Sequence, residues 1–83
     1  MTEKQKEVFD CIVEHYFAVG GKPSNRLIAQ KLGVSTSAIK DRIELLKRKD
    51  YLTNGGLFSI KGFKLAMEMK INDEFKKNIR NNK

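Results

Sequence analysis

A single cysteine, Cys11, excludes an internal disulfide and any zinc site built on cysteine pairs. The one histidine, His15, has no second imidazole or thiol pair with which to share a metal. It falls inside an apolar helical pattern and reads as a structural side chain. There is no H-E-x-x-H, no glycine-rich phosphate loop and no acid pair spaced to define a cleft. Nothing therefore points to an enzyme, a metal or a cofactor. No apolar run approaches the ~18 residues of a membrane span, and the N-terminus lacks the core of a signal peptide. The expected address is a reducing cytoplasm, with no membrane partner. Repeats and low-complexity segments are missing as well.

Positive charge, by contrast, is plentiful. The formal net charge is +7 and the sequence pI about 9.7. Residues 1–20 carry a net −2, residues 21–50 a net +5, residues 51–60 no charge at all, and residues 61–83 a net +4. A basic excess gathered over two stretches suits a polyanionic partner. Eighty-three residues fit one domain, spanning 1–83, and such a chain buries only a little over ~60% of its unfolded surface.

The most informative stretch is SNRLIAQKLGVSTSAIKDRIELLKRKDYL, residues 24–52. Ser24 is a good N-cap, and Ile28, Ala29 and Leu32 follow at helical spacing. Gly33 ends that helix, because glycine enters the left-handed conformation without steric cost. Ser35 caps a second helix, on which Ile39, Ile43 and Leu46 share a face. A short helix, a three-residue turn with a glycine and an amphipathic helix over about 24–49 form the helix-turn-helix arrangement. With its apolar face inward, the second helix (35–49) turns Ser37, Lys40, Asp41, Glu44 and Arg48 outward, with Ser35 and Thr36 at its N-terminus.

Upstream, Thr2 and Gln5 are spaced as a capping box, and Val8, Cys11, Ile12, His15, Tyr16 and Val19 make one stripe of a helix that stops at Gly20-Gly21. Lys22-Pro23 is an extended link. Downstream, Tyr51-Leu52-Thr53 and Leu57-Phe58-Ser59-Ile60 flank Asn54-Gly55-Gly56 and read as a hairpin over about 51–60. A last helix is expected over about 61–79. Phe63, Ala66, Met67 and Ile71 line one side of it, Leu65 and Met69 the opposite side, and Phe75 and Ile79 drift around the axis. A helix apolar on two sides needs two surfaces to cover it. Phe63, Leu65, Met67, Met69, Ile71 and Phe75 are accordingly the expected dimerisation residues, whichever set does not seal the core.

The run LGVSTSAIKDRIELLKRKDYL resembles the winged-helix regulators of bacteria. With TEKQKEVFDCIVEHY and GGKPSNRLIAQKLG upstream, residues 2–53 are most similar to the DNA-binding domain of the LexA repressor family. Two positions depart from its pattern: Leu27 replaces the acid that completes a capping box after Ser24, and Asp50 stands where glycine is usual. The chain also ends too soon to hold a self-cleaving domain. In winged helices the link at Lys22-Pro23 often adds a short third strand. Ser59-Ile60-Lys61-Gly62 resembles the T-x-K-G that opens the helix after the wing in multiple-antibiotic-resistance-type regulators.

The fold expected is mainly α with a small β-hairpin (α+β), a winged helix-turn-helix with an added C-terminal helix. The function expected is a small sequence-specific regulator on double-stranded DNA, nucleoid-associated, with the second helix in the major groove. The resemblance places Thr36, Ser37 and Lys40 where family members contact bases or phosphates. Ser37 and Lys40 have the chemistry for base edges, while Asp41 and Glu44 repel phosphate yet accept from cytosine N4. Lys22, Asn25, Arg26 and Lys31 are positioned for phosphates, and Thr53 and Asn54 can bond to phosphate from a hairpin that has no Lys or Arg. Two alternatives remain open. One is a winged-helix module that binds a host protein, such as an anti-repressor or adaptor of a phage or mobile element. The other is a replication or partition accessory protein.

Overall fold

The computed structural model describes residues 1–81, and the side chains of residues 1–73. Its helices are α1 (Glu3–Val19), α2 (Asn25–Leu32), α3 (Thr36–Arg48) and α4 (Ile60–Asn81). Phe75 and Ile79 lie outside the residues whose side chains are described.

Each of the first three helices begins where a side chain takes up an orphan backbone donor. At α1 the capping box is complete, with the Gln5 N–H donating to Thr2 Oγ1 and the Thr2 N–H to Gln5 Oε1, both at 3.2 Å. Ser24 accepts from the Leu27 N–H and Ser35 from the Ala38 N–H, each at 3.1 Å. Leu27 thus costs α2 only the reciprocal half of a box. Helix α3 ends in a Schellman turn, in which Tyr51 N–H reaches the Leu46 carbonyl and Asp50 N–H the Lys47 carbonyl, both at 3.0 Å. The left-handed residue of that turn is Asp50, at φ 65°.

α1 packs on α2 and α3, and the core is built from Val8, Phe9, Ile12, Ile28, Ile39, Leu46, Leu52 and Ala66 with their neighbours. The buried face of α1 differs from the stripe expected. Val19 is 68% exposed, whereas Phe9, Val13 and Gln5 are buried. The reason is that α1 is covered on more than one side. Phe9 meets Tyr51 and Phe58 edge-on at 5.9 and 5.7 Å, beyond the reach of a single stripe facing α2 and α3. Tyr16 continues this aromatic contact to Phe58 and Phe63.

Among the described residues there is no strand. The segment expected as a hairpin holds one antiparallel bridge, Leu52–Phe58, with the Thr53 N–H on the Leu57 carbonyl at 2.7 Å. Neither a wing sheet nor a third strand at Lys22-Pro23 is present there. The outer ends of the hairpin meet through the Ser59 N–H on the Tyr51 carbonyl at 3.2 Å, and each also serves a helix. Tyr51 N–H closes the turn after α3, and Ser59 caps α4 by accepting from the Gly62 N–H at 2.9 Å. The Ser59 hydroxyl also donates to the Asp50 carbonyl, tying the end of α3 to the start of α4. On α4, Leu65, Ala66 and Met69 turn to the core, Phe63 stands half-exposed with its ring against Tyr16 and Phe58, and Met67 and Ile71 face outward.

Candidate nucleic-acid interface

The N-terminus of α2, one side of α3 and the turn at Gly55-Gly56 enclose a cleft of about 380 Å³. Its rim brings together six polar side chains from separate parts of the chain: Lys22, Ser24, Asn25, Lys40, Glu44 and Lys47. Its floor is Ile12, Ile28, Ile43 and Leu52, so the walls are held by the core. Five of the six were expected at an interface from the sequence. Lys47 was not, although it lies seven residues after Lys40 and three after Glu44, a spacing that places all three on one face.

Lys47 changes the electrostatics of that face. Its Nζ lies 3.2 Å from the Glu44 carboxylate. Exposed pairs of this kind contribute little to stability. Here the pair supplies a neighbouring cation to the carboxylate that would otherwise repel a phosphate. Lys22 is also engaged, donating to the Gly55 carbonyl at 2.8 Å and so bracing the tip of the turn against the start of α2.

The other expected residues do not line this cleft. Arg26, Thr36, Ser37, Asp41 and Arg48 are exposed on α2 and α3, and Thr53 and Asn54 are exposed on the turn. Ser24 and Ser35 accept backbone N–H groups at their helix starts, which leaves each hydroxyl proton available to a further acceptor such as a phosphate oxygen. The N–H groups of the first turns of α2 and α3 add their dipoles at the same ends. Cys11 takes no part. It is buried in α1, and burial raises its thiol pKa, with Lys31 opposing and Glu14 adding to the rise. No helix among the described residues is long and apolar enough to cross a membrane.

The geometry is that of a helix-turn-helix: α2 and α3 are joined by a turn at Gly33 (φ 69°), with the exposed side of α3 standing beside a polar cleft. Comparison with known proteins agrees. No curated protein matches the chain, and no solved structure does. The model of one family, described as the LexA DNA binding domain, matches residues 1–55, which contain α1, α2, α3 and the turn after them. The chain belongs to the LexA DNA-binding domain family.

Proposed function

We propose that residues 1–83 act as one small, sequence-specific regulator of transcription on double-stranded DNA. Helix α3 enters the major groove, where Ser37 and Lys40 read base edges with Asp41 and Glu44 as acceptors. Thr36 and Arg48 flank the reading surface. Ser24, Asn25, Arg26 and Ser35 hold phosphates on either side, with Lys22 at the edge of the cleft and Thr53 and Asn54 on the turn. The protein needs no cofactor, works at the nucleoid in the cytoplasm, and acts as a homodimer through α4. The observation that carries this reading is the cleft, which gathers three lysines, a serine and an asparagine between the start of α2 and the outer side of α3.

Selection of bound sites from random duplexes, followed by salt titration, tests it. A regulator of this kind prefers its site over random duplex by roughly a thousandfold or more at physiological salt. Micromolar binding with no motif enriched is the result that overturns it. That result favours the rival reading, a winged-helix adaptor or anti-repressor acting on a host protein. The uncharged turn at residues 51–60 supports this rival, since it offers no cation to the phosphates beside the groove.

A further inference from the structure

Among the described residues, four of the exposed large apolar side chains lie on α4, Phe63 with one side against Tyr16 and Phe58. Ile60, Phe63, Met67 and Ile71 follow one another at spacings of three, four and four, and Ile60 and Ile71 are 84% and 62% exposed. At about 100° per residue the four fall within an arc of about 80°, opposite the side on which Leu65, Ala66 and Met69 seal the core. The ridge is about 16 Å long at ~1.5 Å per residue.

We infer that this ridge pairs with the same ridge of a second copy, antiparallel, about a twofold axis level with Ala66. The inference rests on the homodimer reading above and gives that dimer its face and its register. The level of the axis follows from the charges that flank the ridge. Among the residues whose side chains are described, the ridge runs from Ile60 to Ile71. Lys64 and Glu68 lie one turn apart on one flank of the ridge, and their midpoint is Ala66. Both are exposed, and among the described residues neither is in an ion pair.

A twofold between antiparallel helices sets each flank against the same flank of the copy with its order reversed. Lys64 of one copy then lies level with Glu68 of the other, twice over. On the ridge, Ile60 meets Ile71 of the other copy, and Phe63 sits between its Met67 and Ile71. A parallel pair puts the Lys64–Glu68 flanks of the two copies on opposite sides of the interface, where they cannot pair. The antiparallel contact is self-complementary in shape and charge, as a closed dimer requires. Four apolar side chains per copy make a small interface, so the free dimer is weak and DNA with two half-sites completes it by holding the copies at high effective concentration.

Sedimentation of the full chain over a concentration series, with and without a two-half-site duplex, tests this together with charge reversal. Met67→Lys and Ile71→Lys, both on the outward side of α4, are expected to weaken the dimer at least tenfold while leaving the helical circular dichroism unchanged. Lys64→Glu and Glu68→Lys should each weaken it severalfold, and the double exchange should restore it. A dimer unmoved by Met67→Lys and Ile71→Lys has its interface elsewhere and overturns this inference alone. Loss in both charge variants without recovery in the double exchange overturns the antiparallel register. A chain monomeric at every concentration, on DNA as well as off it, overturns the homodimer reading itself.

Discussion

Gly62 lies directly against the Tyr51 carbonyl, so close that a Cβ at that position would overlap the oxygen. The contact joins the first turn of α4 to the turn that ends α3, where the Tyr51 carbonyl already accepts the Ser59 N–H at 3.2 Å. Helix propensity alone favours alanine over glycine inside a helix by about 1 kcal/mol. Here the backbone clash reverses the sign. Gly62→Ala is expected to destabilise the protein by a net ~1–3 kcal/mol, because neither backbone can yield without shifting a helix. Urea unfolding measures it, and a midpoint that rises would show that α4 is free to move away from Tyr51.

Asp50 offers the complementary case. It is the one non-glycine residue with positive φ among the described residues, and its side chain is exposed. The left-handed conformation costs an ordinary L-residue ~1–2 kcal/mol, less for aspartate. Asp50→Gly removes that strain but adds unfolded-state entropy, so the expected gain is small, about 0.5 kcal/mol. Asp50→Val meets the full cost and should lose ~1–2 kcal/mol. Thermal unfolding of the pair should rank them glycine, aspartate, valine. Any other order contradicts a strained left-handed residue at this turn.

How much was legible in the sequence follows from how local each signal is. Thr2 with Gln5, Ser24, Ser35 and Gly33 act within a few residues of themselves, and the helices they bound stand within a residue or two of the positions read from them. The buried face of α1 was legible only in part. Val19 lies where the helix outruns its neighbours, and Phe9 is buried by Tyr51 and Phe58, which are more than forty residues away. The two apolar sides of α4 were visible, but periodicity does not say which one meets the core; Gly62 and Ala66 decide it, being small enough for close approach. The hairpin is reduced to a turn with a single Leu52–Phe58 bridge because Tyr51 and Ser59, which bond to each other across it, also finish α3 and start α4. Lys47 was missed at the cleft because only the folded turn at Gly55-Gly56 makes its side of α3 a wall.

Asp10 predicts a pH dependence. One of its carboxylate oxygens is buried without a hydrogen-bond partner. Burial is the main cause that raises its pKa above 3.8. Lys6 opposes the rise, and Glu14, Asp73 and Glu7 add to it. An acid whose folded pKa exceeds its unfolded value binds more protons when folded, so its contribution to stability falls as pH rises through that window. The ionised group is thus a cost at neutral pH that disappears once the pH drops below the unfolded value. Asp10→Asn should be more stable than the parent at pH 7, and the difference should shrink as pH falls toward about 4. Unfolding midpoints of both proteins across this range provide the check. A difference that grows toward acid would mean that the carboxylate is stabilised in the folded chain.

The reading of α3 as the base-reading element makes a prediction that separates three lysine and arginine roles. Lys40 projects from the side of α3 that faces the cleft and has the reach for guanine O6 and N7. Lys40→Ala should lose roughly 1–3 kcal/mol on the selected site and much less on random duplex. Arg26 is exposed on α2 and bonds to phosphate in this scheme. Arg26→Ala should weaken both duplexes alike and reduce the salt slope by about one unit, because one fewer counterion is released. Lys47 differs from both, since its ammonium is held against Glu44 at 3.2 Å. Lys47→Ala leaves the Glu44 carboxylate uncompensated beside the phosphates. It should therefore cost more on both duplexes than Arg26→Ala, and Glu44→Gln in the same chain should recover most of the loss. Binding isotherms for the four variants on both duplexes, at three salt concentrations, resolve these roles. Equal losses on the two duplexes for Lys40→Ala would remove it as a reader, and no recovery in the Lys47→Ala, Glu44→Gln double variant would remove the pair as an electrostatic unit.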